Sequence, residues 1–316
     1  MINLQSVYIL AGLMFCAFAL FNLRDKSNAR RYVNALFWGV YGVTFLFGGE
    51  LPHFVTGCLA ILLAVIAGSG KLGKGKTDND QPERVEQREA GARRFGSKLF
   101  IPALLIPIVT LIGTLTLKYT PLVEAKNVTL ISLVIGTLVA FVAALVMLCD
   151  SPLKAIKAGG QTMDTVGWAA ILPQMLAALG ALFAMAGVGG VVADLVKNII
   201  PLGSPLAIVV AYTFGMALFT MIMGNGFAAF PVMTAGIGLP LIVNQLGGNP
   251  AIMGAIGMLC GFCGTLMTPM AANFNIVPAA LLELQDKNGV IKAQWKTGVL
   301  LLLVNTAFMY FFVFRF

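Results

Sequence analysis

Two short segments concentrate the polar groups that an otherwise apolar chain has available for chemistry. In the first, Asn225 lies between Gly224 and Gly226; the second holds Thr265, Thr268, Pro269, Asn273 and Asn275. Their hydroxyls and amides can coordinate a cation or hydrogen-bond a carboxylate without adding fixed charge. A third candidate is Gln174, after Pro173, which can line a cavity or bond a neighbouring helix; both readings stay open. Enzymatic patterns are missing. The chain has one histidine, His53, and five cysteines. Cys260 and Cys263 have CxxC spacing, but their Gly- and Met-rich surroundings offer no charge to lower a thiol pKa. No His-Glu-x-x-His run, no Gly-x-Ser-x-Gly elbow and no pair of mid-span aspartates occurs. We therefore expect no catalysis, no metal-ligand set and no disulfide framework.

The elements that must hold these residues follow from composition. Of 316 residues, 59% are hydrophobic and 11% charged, and the mean hydropathy is +0.90. Soluble domains carry about 25% charged residues, so a water-soluble fold is excluded. A bilayer core about 30 Å thick needs roughly 20 apolar residues per helix. Apolar runs at 4–21, 32–47, 51–67, 99–117, 128–148 and 166–187 read as six helical spans. Beyond them, 205–314 is apolar but repeatedly interrupted by Gly, Pro and Asn. The methionines from Met216 to Met270 read as adaptable packing. The expected fold is all-α: a polytopic membrane helix bundle of about eight spans plus a re-entrant hairpin and one broken helix. Three regions are expected: an N-terminal three-span segment, 1–69; a flexible, charged cytoplasmic linker, 70–98; and a membrane domain, 99–316, holding the hairpin (204–243) and the broken helix (251–284).

Charge tests the layout. The formal net charge of +8 does not indicate nucleic acid, because the cations lie in short clusters between apolar runs. Arg24, Lys26, Arg30 and Arg31 follow the first span, and a run from Lys71 to Lys98 follows the third. Lys154 and Lys157 follow the fifth, and Lys287, Lys292 and Lys296 precede the last. All fall on one side, which the positive-inside rule makes cytoplasmic, so both termini are expected outside. Lys118, Lys126, Lys197 and Arg315 stay outside. The first run has no basic residue before it and four just after, the flank of an uncleaved helix rather than a signal peptide. Asp150, Asp164, Asp194, Glu283 and Asp286 all sit near span ends, where water can reach them, and none reads as a buried proton carrier.

Gly224 to Gly226 interrupts a good helix, and Pro231, Gly236, Gly238 and Pro240 follow within the next run. Few structural helices tolerate that density of breakers. Non-helical backbone at membrane depth survives only inside protein or along a water-filled cavity, and in transporters it forms the substrate and ion site. The exposed amides of a half-helix start favour an anion; the carbonyls of a half-helix end favour a cation. Without a mid-membrane carboxylate, Na+ is preferred over H+ as a coupling ion. The hairpin can be re-entrant or two full crossings, since both satisfy the charges.

Met223-Gly-Asn-Gly-Phe-Ala-Ala-Phe-Pro231 and Gly264-Thr-Leu-Met-Thr-Pro-Met-Ala-Ala-Asn273 resemble the ion transporter superfamily, which includes gluconate permeases and anaerobic dicarboxylate carriers. This resemblance covers roughly the C-terminal half. The whole chain resembles the bacterial domain-of-unknown-function 979 family, whose members are thought to work beside a sister membrane subunit in 5-oxoproline uptake. The resemblance implies an elevator-type secondary carrier in the bacterial cytoplasmic membrane, taking a small organic anion. Its inverted repeats would each give a hairpin tip and a broken helix to a shared site. Carried over, the tip is Gly224, Asn225 and Gly226, and the broken helix holds Thr265, Thr268, Pro269 and Asn273. Only one convincing copy of the pair is present, Gly48 to Pro52 being a feeble second. A sister subunit or a homo-oligomer would then complete the site. A non-transporting scaffold or regulatory subunit is the alternative reading, and a channel formed by oligomerisation is a further one.

Overall fold

The computed structural model describes residues 2–73, 82–199, 203–282 and 284–315. Among them the regular structure is helical, and the only strand-type pairing is an isolated bridge between Ile2 and Val123. Seven helical stretches are long and apolar enough to cross a bilayer, with three shorter apolar helices beside them. The chain is a multi-pass helical membrane protein. It divides into two compact units, Met1–Trp168 and Ala169–Phe316.

The first unit contains α1 (Leu4–Arg24), α2 (Arg31–Phe47), α3 (His53–Gly68), α4 (Pro82–Phe95), α5 (Ile101–Leu117), α6 (Val128–Leu148) and α7 (Pro152–Val166). α1 and α2 pack through small residues: a Cβ on Gly12 would stand 3.1 Å from the carbonyl oxygen of Gly42, and one on Gly42 would stand 3.1 Å from that of Gly12. Membrane helices associate in this way, because close backbone approach gains dispersion where lipid removes the hydrophobic drive. Around the contact, Phe15, Phe18, Phe37, Trp38, Tyr41 and Phe45 form one aromatic cluster. α5 and α6 pair by the same device, since a Cβ on Gly136 would sit 2.8 Å from the Ile106 carbonyl.

The segment 70–98 departs from the flexible linker expected of it. Its residues 74–81 lie outside the described ones, but α4 occupies Pro82–Phe95. Proline opens this helix at its first position, where its missing N–H costs nothing. Arg93 and Arg94 lie in the last turn, opposite the helix dipole, and Glu89 pairs with Arg93 at 3.9 Å. The pair is exposed and adds little; favourable end residues are what a composition of mixed charge had concealed.

The second unit contains α8 (Leu172–Met185), α9 (Val188–Ile199), α10 (Pro205–Met223), α11 (Gly226–Met233), α12 (Pro250–Thr265), α13 (Ala272–Leu281) and α14 (Gly289–Phe312). Its core joins Tyr212, Met216 and Ala217 of α10 to Met253, Cys260 and Cys263 of α12 and to Leu302 and Met309 of α14. The methionines and both cysteines of this core are packing groups. α10 and α12 approach until a Cβ on Gly264 would meet the backbone of Ala217, 3.0 Å from its Cα.

The arm after Gly226 was expected to be broken by its prolines and glycines, and it is not. α11 passes through Pro231 and continues as a π-helix, Thr234–Gln245, through Gly236, Gly238 and Pro240. The wider turn relieves the clash of a proline ring with the carbonyl one α-turn back. Gly236 lets the backbone press on α9, where a Cβ would stand 2.6 Å from the Gly189 carbonyl. α10 and the continuous arm 226–245 are each of span length by composition.

Candidate functional site

Two true interruptions remain in the second unit, and they touch. At the first, Gly224 ends α10 in the left-handed region at φ +76° and donates its N–H to the Thr220 carbonyl at 2.7 Å. Glycine accepts that conformation without strain. Asn225 then starts α11 with extended backbone, φ −154°, and its Oδ1 accepts from the Phe227 N–H at 2.7 Å. One helix end and one helix start therefore follow each other within two residues. The C-terminal carbonyls of α10 and the first-turn amides of α11 face the same junction.

At the second interruption α12 ends at Thr265, and α13 begins at Ala272. The Thr268 hydroxyl donates to the Met221 carbonyl at 2.9 Å and accepts from the Met270 N–H at 3.2 Å. It bolts the break onto the end of α10. The fit is close: a Cβ on Gly224 would stand 2.6 Å from the Met270 carbonyl oxygen. Fully buried Asn275 closes the same break from α13. Its Nδ2 donates to the carbonyls of Thr265 at 2.8 Å and Thr268 at 2.6 Å, and its Oδ1 accepts from Gln294 of α14 at 2.6 Å. Every polar atom of that side chain is committed to the fold.

One side chain at the junction is left over. The Thr220 hydroxyl is fully buried and has no hydrogen-bond partner, although a helical threonine ordinarily bonds the carbonyl one turn back. Glycines surround it. The Cβ position of Gly261 lies 3.4 Å from the Thr220 oxygen and 3.5 Å from the Cα of Gly226. Beside it, Asn225 is 7% exposed and uses only its carbonyl oxygen among the described residues, so its amide Nδ2 is available as a donor. The unpartnered hydroxyl therefore lies near the start of α11, and hydroxyl and amide donors at a helix start are groups that suit a small anion.

The expected residues divide accordingly. Gly224, Asn225 and Gly226 form the junction, with Thr268 holding it together. Thr265 is buried, but its hydroxyl bonds its own helix at Phe262 from 2.6 Å. Asn273 and Asn275 lie inside the first turn of α13 rather than in the break; Asn273 is half-buried, and Pro269 is exposed at the surface of the break. Gln174 is exposed on α8. Missed from sequence were Thr220, one turn before a helix-ending glycine, and Gln294, whose role shows only once α13 and α14 meet.

The aspartates divide too. Asp150 and Asp286 are exposed, as expected of span ends. The backbone N–H of Ser151 holds the Asp150 carboxyl below the usual carboxylate range, and a hydrogen bond from Lys292 does the same for Asp286. Asp194 is also exposed, and Glu283 lies outside the described residues. Asp164 breaks the expectation: it is buried in the first unit, 8% exposed. It sits on the face of α7 that packs against α1 and α2, a placement hydropathy does not reveal.

The profile of a family described as protein of unknown function (DUF979) matches residues 5–314. No curated protein and no solved structure matches the chain. With a match running nearly end to end over an all-helical, multi-pass fold, the chain belongs to the DUF979 family.

Proposed function

We propose that this chain is a subunit of a secondary permease for a small organic anion, 5-oxoproline or a related carboxylate, in the bacterial cytoplasmic membrane. The observation that carries the reading is the buried, unpartnered Thr220 hydroxyl at the meeting of two helix breaks. Leaving a polar atom unpaired in a dry interior costs about 1–3 kcal/mol, a penalty that an arriving ligand removes. Asn225 Nδ2 and the first-turn amides of α11 other than that of Phe227 complete a donor set for one carboxylate, while the closed break behind them keeps the junction in shape. Donors without fixed charge hold the anion weakly enough for release, as a carrier requires. The coupling ion is Na+ or H+. A sister membrane subunit, or a second copy of this chain, supplies the remaining wall, consistent with the single copy of the hairpin and break. The elevator-type motion, the re-entrant path of the hairpin and the outward termini are parts of the same proposal.

The test is uptake of labelled 5-oxoproline and other small carboxylates into proteoliposomes holding the chain with and without its sister subunit, under imposed Na+ and H+ gradients. Uptake that falls at least tenfold in Thr220→Val and Asn225→Ala is the expected result. Uptake unchanged in both variants removes the site, and no uptake of any anion in either preparation favours a scaffolding subunit.

A further inference from the structure

The first unit holds a buried carboxylate that the proposed permease site does not use. Asp164 accepts a hydrogen bond from the indole Nε1–H of Trp38 at 2.6 Å and from Nδ2 of Asn22 at 3.2 Å. Both of these bonds fall on one oxygen, Oδ1, and the Asn34 amide lies beside the carboxylate as a further neutral donor. Behind them, Asn34 donates to Asn22 Oδ1 at 3.1 Å and to the Gly73 carbonyl at 2.9 Å, and accepts from the Gly73 N–H at 3.3 Å. Asn22 and Asn34 are themselves buried, 4% and 1% exposed. Every direct donor to the carboxylate is neutral, and among the described residues no cation lies within ion-pair distance of it. A carboxylate in that position is costly as a bare charge.

The site is also reachable. A small polar cleft, lined by Phe21, Asn22, Asp25, Lys157, Gly160, Gln161 and Asp164, leads to it. The charged groups facing Asp164 are few. Asp25, at the end of α1, is half-buried, with its Oδ1 bonded to the N–H of Ser27 at 2.9 Å and its hydroxyl at 2.6 Å. Lys157, two turns back on α7, is exposed at the mouth of the cleft. α2 contributes Trp38 and Asn34, and farther along the network Arg30 donates to the Leu72 carbonyl at 3.0 Å.

We propose that the Asp164 pocket is a proton-binding site, exchanging with the aqueous phase through the cleft between Asp25 and Lys157. On binding, a proton from hydronium in the cleft bonds to Oδ2 and leaves water behind; on release it returns to water by the same route. The Trp38 and Asn22 donors keep Oδ1 as acceptor in both states, so the polar network stays in register while the charge changes. Gly160 keeps the cleft narrow, since a Cβ there would meet the Phe18 ring at 3.1 Å. Because the proposal rests on the first unit alone, it stands or falls independently of the anion site.

The experiment uses the full chain in lipid nanodiscs, carrying Trp168→Phe and Trp295→Phe so that Trp38 alone reports. Infrared difference spectra between acid and neutral buffer should show a protonated-carboxyl band, with Trp38 emission following the same midpoint. Asp164→Asn should abolish the Trp38 signal and the part of the band that shares its midpoint, leaving the band of the other carboxyls. Should that variant fail to fold, Asp25→Asn, altered only at the cleft, should still fold and move the midpoint. A Trp38 signal independent of pH, a band component at the Trp38 midpoint that survives Asp164→Asn, or a midpoint indifferent to Asp25→Asn overturns the proposal. So does a Trp38 signal that follows Na+ concentration at fixed pH.

Discussion

Replacing Gly224 with alanine tests the contact between the two breaks, because the cost arises from two separate features of one residue. At φ +76° a side-chain-bearing residue meets left-handed strain of about 1–2 kcal/mol. Its Cβ would also stand 2.6 Å from the Met270 carbonyl oxygen and 2.9 Å from the carbonyl carbon. Since ordinary contact begins near 3.4 Å, the tip or the break must move by about 0.8 Å, and overpacking of that kind costs about 1–3 kcal/mol. The expected loss is therefore about 2–5 kcal/mol, or a fall of about 4–20 °C in melting temperature. Intrinsic tryptophan fluorescence during heating of the detergent-solubilised protein measures it. Gly190→Ala is the control, since that glycine has no atom within 4 Å of its Cβ position and the change should stabilise α9 by about 0.5–1 kcal/mol. If Gly224→Ala melts with Gly190→Ala, the two breaks do not bear on each other and the site loses its frame.

Three further outcomes follow from named bonds. Asn275→Leu strands the Thr265 and Thr268 carbonyls, which should cost about 2–4 kcal/mol in the same melting assay; Gln294→Ala should cost less, because both Nδ2 bonds of Asn275 survive. Thr220→Val is nearly isosteric and removes an unpartnered hydroxyl, so the protein should melt at the same temperature or up to about 1 kcal/mol higher, while anion uptake falls. A parallel loss of stability would show that the hydroxyl serves the fold. The depressed Asp286 carboxyl should support the entry to α14 at neutral pH, with that support lost as pH falls through its folded value. The protection factor of the Asn288 amide, whose N–H donates to Asp286 Oδ1 at 2.9 Å, should fall as the carboxyl protonates in acid, and in Asp286→Asn it should no longer change with pH.

Much of the helical layout was legible because hydropathy reports directly what lipid demands. The run 128–148 became α6 residue for residue, and the starts of α1 and α10 fell where the apolar pattern began. Gly224 was legible as a break because a lone glycine before an amide is both a helix stop and a helix start. Pro231 and Pro240 were misleading because the penalty on a proline depends on room around the preceding turn. The π-helix and the small residues of α9 supply that room, and neither is visible from one segment alone. Asp164 was misplaced for a related reason. Its partners Asn22 and Trp38 lie 142 and 126 positions away, so distance to the nearest apolar run said nothing of its burial.

Asn225 and Asn275 show why the residue content of a break does not by itself identify a ligand. Both are buried asparagines beside interrupted helices, yet one is consumed by the fold and the other is half free. The difference lies in what each interruption leaves unpaired. Ending α12 at Thr265 leaves buried carbonyls without their helical partners, and the amide of Asn275 takes those of Thr265 and Thr268. Ending α10 at Gly224 strands less, because the left-handed cap returns its own N–H to Thr220 and Thr268 covers Met221. Asn225 then owes the backbone one bond, through its oxygen, and its nitrogen remains available. A break whose own turn geometry settles its backbone is the one able to offer side chains to a solute, and under the proposed function that break is the α10–α11 junction.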